Sequence, residues 1–86
     1  MSKKQIVYAL FDNEMGEMHM FSTNADVLAK DAVMEFIEEH VTKDWKDVVL
    51  VEHKKDIQTK VSATKSPTDL VQTLVGYGFI LNMLAV

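Results

Sequence analysis

Cysteine and arginine are both missing from these 86 residues, proline occurs once and glycine three times. Without cysteine there can be no disulfide, no thiolate metal ligand and no cysteine nucleophile, and the composition marks no redox compartment. Without arginine there is no planar fork for bidentate recognition of phosphate or guanine, and all nine cations are lysines. A lysine-for-arginine bias also suits AT-rich coding, as in many phages. No apolar run approaches the roughly eighteen residues needed to cross a bilayer, and the nearest candidate, residues 79–86, is far too short. Residues 1–4 lead into a strand-like run that soon meets Asp12 and Glu14, unlike a cleavable signal. The expectation is a soluble, cytoplasmic, single domain spanning residues 1–86.

Charge is present but uneven. Residues 1–41 carry three lysines against eight acids, and residues 42–86 carry six lysines against five, for a net charge of −4. Such a balance disfavours binding to a phosphate backbone as the main business of the chain.

The pattern is organised around residues 24–41. Asn24 is placed to cap a helix, and at about 100° per residue Ala25, Leu28, Ala29, Ala32, Val33 and Phe36 share one face, opposite Asp31, Glu35 and Glu38. A second, narrower stripe, Val27, Met34 and Val41 at seven-residue spacing with Ile37 beside them, predicts a seam for a second copy or another protein.

Residues 5–11 form an apolar, β-branched and aromatic run that reads as a central strand. Asp12 to Gly16 supply a turn, with Gly16 suited to a left-handed position. Residues 17–22 return as a second strand whose two faces, Met18 with Met20 and His19 with Phe21, are both partly apolar. Trp45 is expected to cap the edge of the core. Residues 48–51 read as an inner strand and residues 57–62, with Ile57, Thr59 and Val61 alternating against Gln58, Lys60 and Ser62, as an edge strand guarded by Lys60. Ser66, Pro67 and Asp69 open a second helix whose core residues are Leu70, Val71, Leu74 and Val75. Gly76 and Gly78 end it, and residues 79–86 read as a last strand; the rival is a helix continued through both glycines.

The predicted architecture is a two-layer α+β domain in ββαββα(β) order, a mainly antiparallel sheet with two helices on one face, its order suggesting a ββα unit repeated over residues 5–41 and 47–76. The candidate protein interface is Val27, Met34, Ile37, Val41, Phe79, Leu81 and Met83, and Lys54 with Lys55 at a hairpin tip are the candidate phosphate contacts. His19, His40 and His53 fall at no ligand spacing, so neither a metal nor another cofactor is expected. Gly76-Tyr77-Gly78 follows a helix and has no third glycine, so it is a helix stop and not a phosphate loop. These features predict a small non-catalytic protein-binding module, self-associating as a homodimer or acting as regulator or inhibitor of a larger partner. A nucleic-acid-associated factor using the lysines of residues 43–65 is the alternative, and a small metal-dependent enzyme a more distant one.

Overall fold

The first apolar run becomes the middle of a sheet. In a computed structural model that describes residues 4–85, β1 (Gln5–Asp12) pairs antiparallel with β2 (Glu17–Asn24) on one side and β3 (Phe79–Ala85) on the other, in the order β2-β1-β3. Val86, the end of the predicted last strand, lies outside the described residues. Three helices, α1 (Ala29–His40), α2 (Val48–Ser62) and α3 (Pro67–Val75), intervene between β2 and β3. The chain is therefore α+β with an antiparallel sheet, but its order is ββαααβ.

The β1–β2 turn is made as its residues demand. Asp12 Oδ1 accepts the amides of Glu14 at 2.9 Å and Met15 at 3.0 Å, and Gly16 takes the left-handed backbone, φ +70°, that residues with a Cβ rarely adopt. Strand register sets the two faces. Tyr8 lies between Phe21 and Met83, and Leu10 between His19 and Leu81, on the face that the helices cover. α1 packs over β2, α3 over β3, and α2 against both helices.

Residues 48–62 overturn the predicted second hairpin. They form one helix, so among the described residues the sheet has three strands and the helices number three, and no ββα unit recurs in residues 47–76. The reason is local. The supposed turn, Glu52 to Asp56, contains no glycine, proline or asparagine, so nothing reverses the chain. Asp47 caps the helix by accepting the Leu50 amide at 3.2 Å. Ile57 and Val61, which alternate as in a strand, are also four apart, and with Leu50 they form the buried stripe of α2. Thr59 turns its hydroxyl back to the Lys55 carbonyl, a bond only a helix offers.

α1 starts later than predicted. Asn24 ends β2, its Oδ1 accepting from Gln5 Nε2, and residues 25–28 make a turn with the Val27 amide on the Asn24 carbonyl. Leu28 stands at the cap position without a side-chain bond and is exposed, where a core position was expected. The α3 signals hold: the Ser66 hydroxyl accepts the Asp69 amide, the Asp69 carboxylate reaches back to the Lys65 amide, and Gly76 closes the helix. Gly78, at φ +88°, then releases the chain into β3, so the helix does not continue through the glycines.

Replacing a hairpin by α2 has a direct consequence for the predicted seam. Ile37 and Val41 are fully buried, and Val27 and Met34 are half-buried against the same core, because α2 and α3 cover the side of α1 that was expected to face outward. Phe79 and Leu81 are likewise core residues on the helix side of β3. Of the seven predicted interface residues only Met83 remains substantially exposed, at 40%.

Candidate functional site

The side chains that chemistry would use gather at one buried point, where the β1–β2 hairpin meets the start of α2. His19 from β2 bonds Asp47 through Nε2 and Oδ2 at 2.9 Å, while the other Asp47 oxygen caps α2. Asp12, ending β1, lies alongside. Its Oδ1 is taken by the two turn amides, and its Oδ2 is buried with no donor. Asp12, Asp47 and His19 are all closed off from solvent. Phe36 and Trp45 pack around the imidazole, with ring centroids 6.0 and 5.4 Å away, and the half-buried Trp45 caps the core edge as its sequence position predicts.

The two carboxyl groups titrate in opposite directions. Burial, followed by the hydrogen bond and the like charge of Asp47, raises Asp12 above the ordinary carboxylate range. Burial also works against the Asp47 anion, yet hydrogen bonds from His19, Asp12 and the Leu50 amide outweigh it and hold Asp47 below its usual value. Of the two carboxyl groups Asp12 is therefore the one more readily protonated, and its Oδ2, which no donor reaches, is the oxygen free to carry the proton. The arrangement is a structural latch: it ties both hairpin strands to the α2 N-terminus, and its three side chains are buried.

The remaining candidates are dispersed. His40 and His53 are exposed on different helices, and among the described residues no group of three metal-ligating side chains comes together. Lys54 and Lys55 sit on α2 and not at a hairpin tip; the depression they border with Lys43 also contains Glu52 and Asp56, which offset their charge. A cleft of about 150 Å³ between Leu28, Lys30, Pro67 and Leu70 is below the size of ordinary small-molecule sites. Its Lys30 ammonium is already directed at the carbonyls of Ser62 and Thr64.

What stands out is the other face of the sheet. Register places Phe11 between Met18 and Ile80, Ala9 between Met20 and Asn82, and Val7 between Ser22 and Leu84. Among the described residues neither a charge nor a helix covers this three-by-three array. Met18 is 51% exposed, Met20 67%, Ile80 44% and Leu84 67%. Sequence reasoning points to the segment of residues 79–86, which holds Ile80 and Leu84, as an interface but passes over Met18 and Met20, although the signal is present: β1 is apolar on both faces, and β2 offers Met18 and Met20 on the face away from His19. A run that apolar implies two covered faces, and the structure supplies only one cover.

Fold and site together define a class only, a small α+β domain with one bare apolar sheet face. Compared with known proteins, the chain matches no family model, no curated protein and no solved structure.

Proposed function

We propose that this chain is a non-catalytic protein-binding module that self-associates, two copies packing their open sheet faces together. The bare three-by-three array carries this reading. Soluble monomers seldom leave a contiguous apolar patch of this kind, and such patches mark interaction surfaces. Three strands about 4.8 Å apart and seven residues rising about 3.4 Å each give a face of roughly 14 by 24 Å, an area of about 340 Å².

A second copy fits the face better than a polar or charged partner does. The array holds no charge and only two polar side chains, Ser22 and Asn82, so it has little with which to select a polar surface. It does have relief that suits itself: Ala9 leaves a dip at the centre, beside the protruding Met20, and across a two-fold axis each Met20 can fill the other copy's dip. Methionine adapts readily to such packing. Pairing buries about 700 Å² in total, below the usual size of specific interfaces, so the association through this face alone is expected to be weak. The latch supports a non-catalytic reading, since its titratable groups are spent on holding the fold and have no access to substrate.

Light scattering behind a sizing column, over a wide concentration range, tests the proposal. The native chain should exceed monomer mass as concentration rises, and Met20→Lys should lower the mass without changing the circular dichroism. A native chain that stays monomeric throughout, or a Met20→Lys variant that assembles as before, would refute it. Binding of the monomer to neutral lipid vesicles would give the face a different occupant.

A further inference from the structure

We infer that the outer edge of β3 pairs antiparallel with β3 of a second copy about a two-fold axis at Asn82, joining two three-stranded sheets in plane into one of six. The first observation is composition. From Phe79 to Ala85 the strand contains no charge, no proline and no glycine, none of the devices by which exposed edges discourage pairing. The opposite edge, β2, starts at Glu17, whose carboxylate pairs with Lys46 at 3.8 Å.

The second observation is the direction of the backbone groups. The Asn13 amide bonds the Gly78 carbonyl at 3.0 Å, one step before Asp12 pairs with Phe79. Narrow and wide pairs alternate in an antiparallel ladder, so Ile80, Asn82 and Leu84 spend their backbone groups on β1. Phe79, Leu81 and Met83 then present theirs outward. The Ala25 amide on the Lys4 carbonyl at 2.9 Å gives the same alternation from the other side of β1. Among the described residues no backbone bond outside helices and ladders engages residues 79–85, so these outward groups meet no partner among them.

Two-fold pairing needs outward groups to meet outward groups. Centring on position 82 brings Leu81 opposite Met83 and Phe79 opposite Ala85, which uses all seven residues of the strand. Centring on Leu81 or Met83 also matches outward groups but shortens the overlap. At the axis the two Asn82 side chains, the only polar ones in β3, come side by side on the open face and can bond each other, fixing the register. Leu81 and Met83 meet on the helix side, which accounts for the exposure of Met83.

This pairing deepens the proposed self-association and rests on it for its area argument. A single open face is marginal for a stable dimer. Edge pairing merges two into one continuous apolar face, and packing two six-stranded sheets together buries on the order of 1,400 Å², within the range of specific, stable interfaces. The closed form is a tetramer with two kinds of two-fold interface.

Each interface can be removed separately. Met83→Pro deletes an outward amide that β1 does not use, an edge position where proline is tolerated; Met20→Lys attacks only the open face. The native chain is expected at four times the chain mass, each variant at two and the double variant at one. Because proline could also disturb β3 itself, hydrogen exchange in the Met20→Lys protein is the second readout, where the Leu81 and Met83 amides should be protected at high concentration and lose protection on dilution. Free exchange of both amides at every concentration, with Met83→Pro leaving the mass unchanged, overturns the edge pairing while the face reading stands. A mass halved by Met83→Pro but untouched by Met20→Lys overturns the face reading and keeps the edge. A native chain monomeric at all concentrations overturns both.

Discussion

Replacing Asp12 with asparagine should make the protein more stable at neutral pH, an unusual outcome for a buried carboxylate. Asparagine copies a protonated aspartic acid: its Oδ1 can keep the Glu14 and Met15 amides, and its Nδ2 can donate to Asp47 where the native side chain needs a proton. The native Asp12 value lies above its unfolded value, so its contribution is complete below the unfolded value, near 3.9, and is lost as pH rises toward the native one. Between those two points the advantage of Asp12→Asn over wild type should grow by at most about 1.4 kcal/mol per pH unit and then level off. Asp47 has the opposite sign. Its native value is lowered, so its contribution is present above the unfolded value and disappears as pH falls through the native one. Asp47→Asn keeps a cap for α2 but gives up the charge-assisted bond to His19, at a cost of about 1.5–3 kcal/mol near neutrality. Urea unfolding between pH 4 and pH 9, followed by the fluorescence of the single tryptophan beside His19, measures both variants. An Asp12→Asn protein less stable than wild type at pH 7, or one whose curve runs parallel to wild type across the range, would mean that Asp12 is ionised in the native state, and the latch as described would be wrong.

Two other outcomes are expected. Gly78→Ala meets no atom within 4 Å but forces a Cβ into φ +88°, so it should destabilise by roughly 1–2 kcal/mol through backbone conformation alone, and thermal unfolding will detect it. Both tyrosines should resist ionisation: burial raises Tyr8, and Tyr77, whose hydroxyl donates to Asp56 from the end of α3, is pushed up to about 12. An ultraviolet titration that shows half of the tyrosine absorbance change by pH 10 would contradict this.

Much of the fold was legible because local chemistry and tertiary packing agreed. The Asp12–Gly16 turn, the Ser66-Pro67-Asp69 start and the glycine stop before β3 each rest on interactions within a few residues. Residues 48–62 failed because Ile57 and Val61 satisfy periods of two and of nearly four together, and a short window favours whichever template is tried first. The lack of glycine, proline or asparagine from Glu52 to Asp56, together with Asp47 as a cap, is the signal that favours the helix. That one error propagated. Without α2 in its place, Ile37 and Val41 had nothing to cover them and read as a seam. The latch was beyond sequence reasoning altogether, because Asp12, His19 and Asp47 are brought together by strand register and a helix start and not by spacing along the chain. The open face lay between these cases: Met18 and Met20 were visible as apolar residues sharing a face, but which face the helices would leave bare depends on packing.

The pairing of β1 with β3 bears on how the chain reaches its native state. Leu10 pairs with Leu81, 71 positions later, so the sheet cannot close until everything between has been ordered, whereas the β1–β2 hairpin and all three helices form from neighbouring residues. Such distant closure is slow compared with local structure. It also makes the chain divisible in the connection between α2 and α3, at Lys65 and Ser66, which are exposed just beyond the buried Thr64. A cut there would leave a hairpin with two helices on one piece, and a helix with the missing strand on the other. The second piece would carry the side chains that fill the slot beside β1, namely Leu70, Leu74, Phe79 and Leu81. The two should find each other when mixed, with β3 acting as an intramolecular ligand that a cut turns into an intermolecular one.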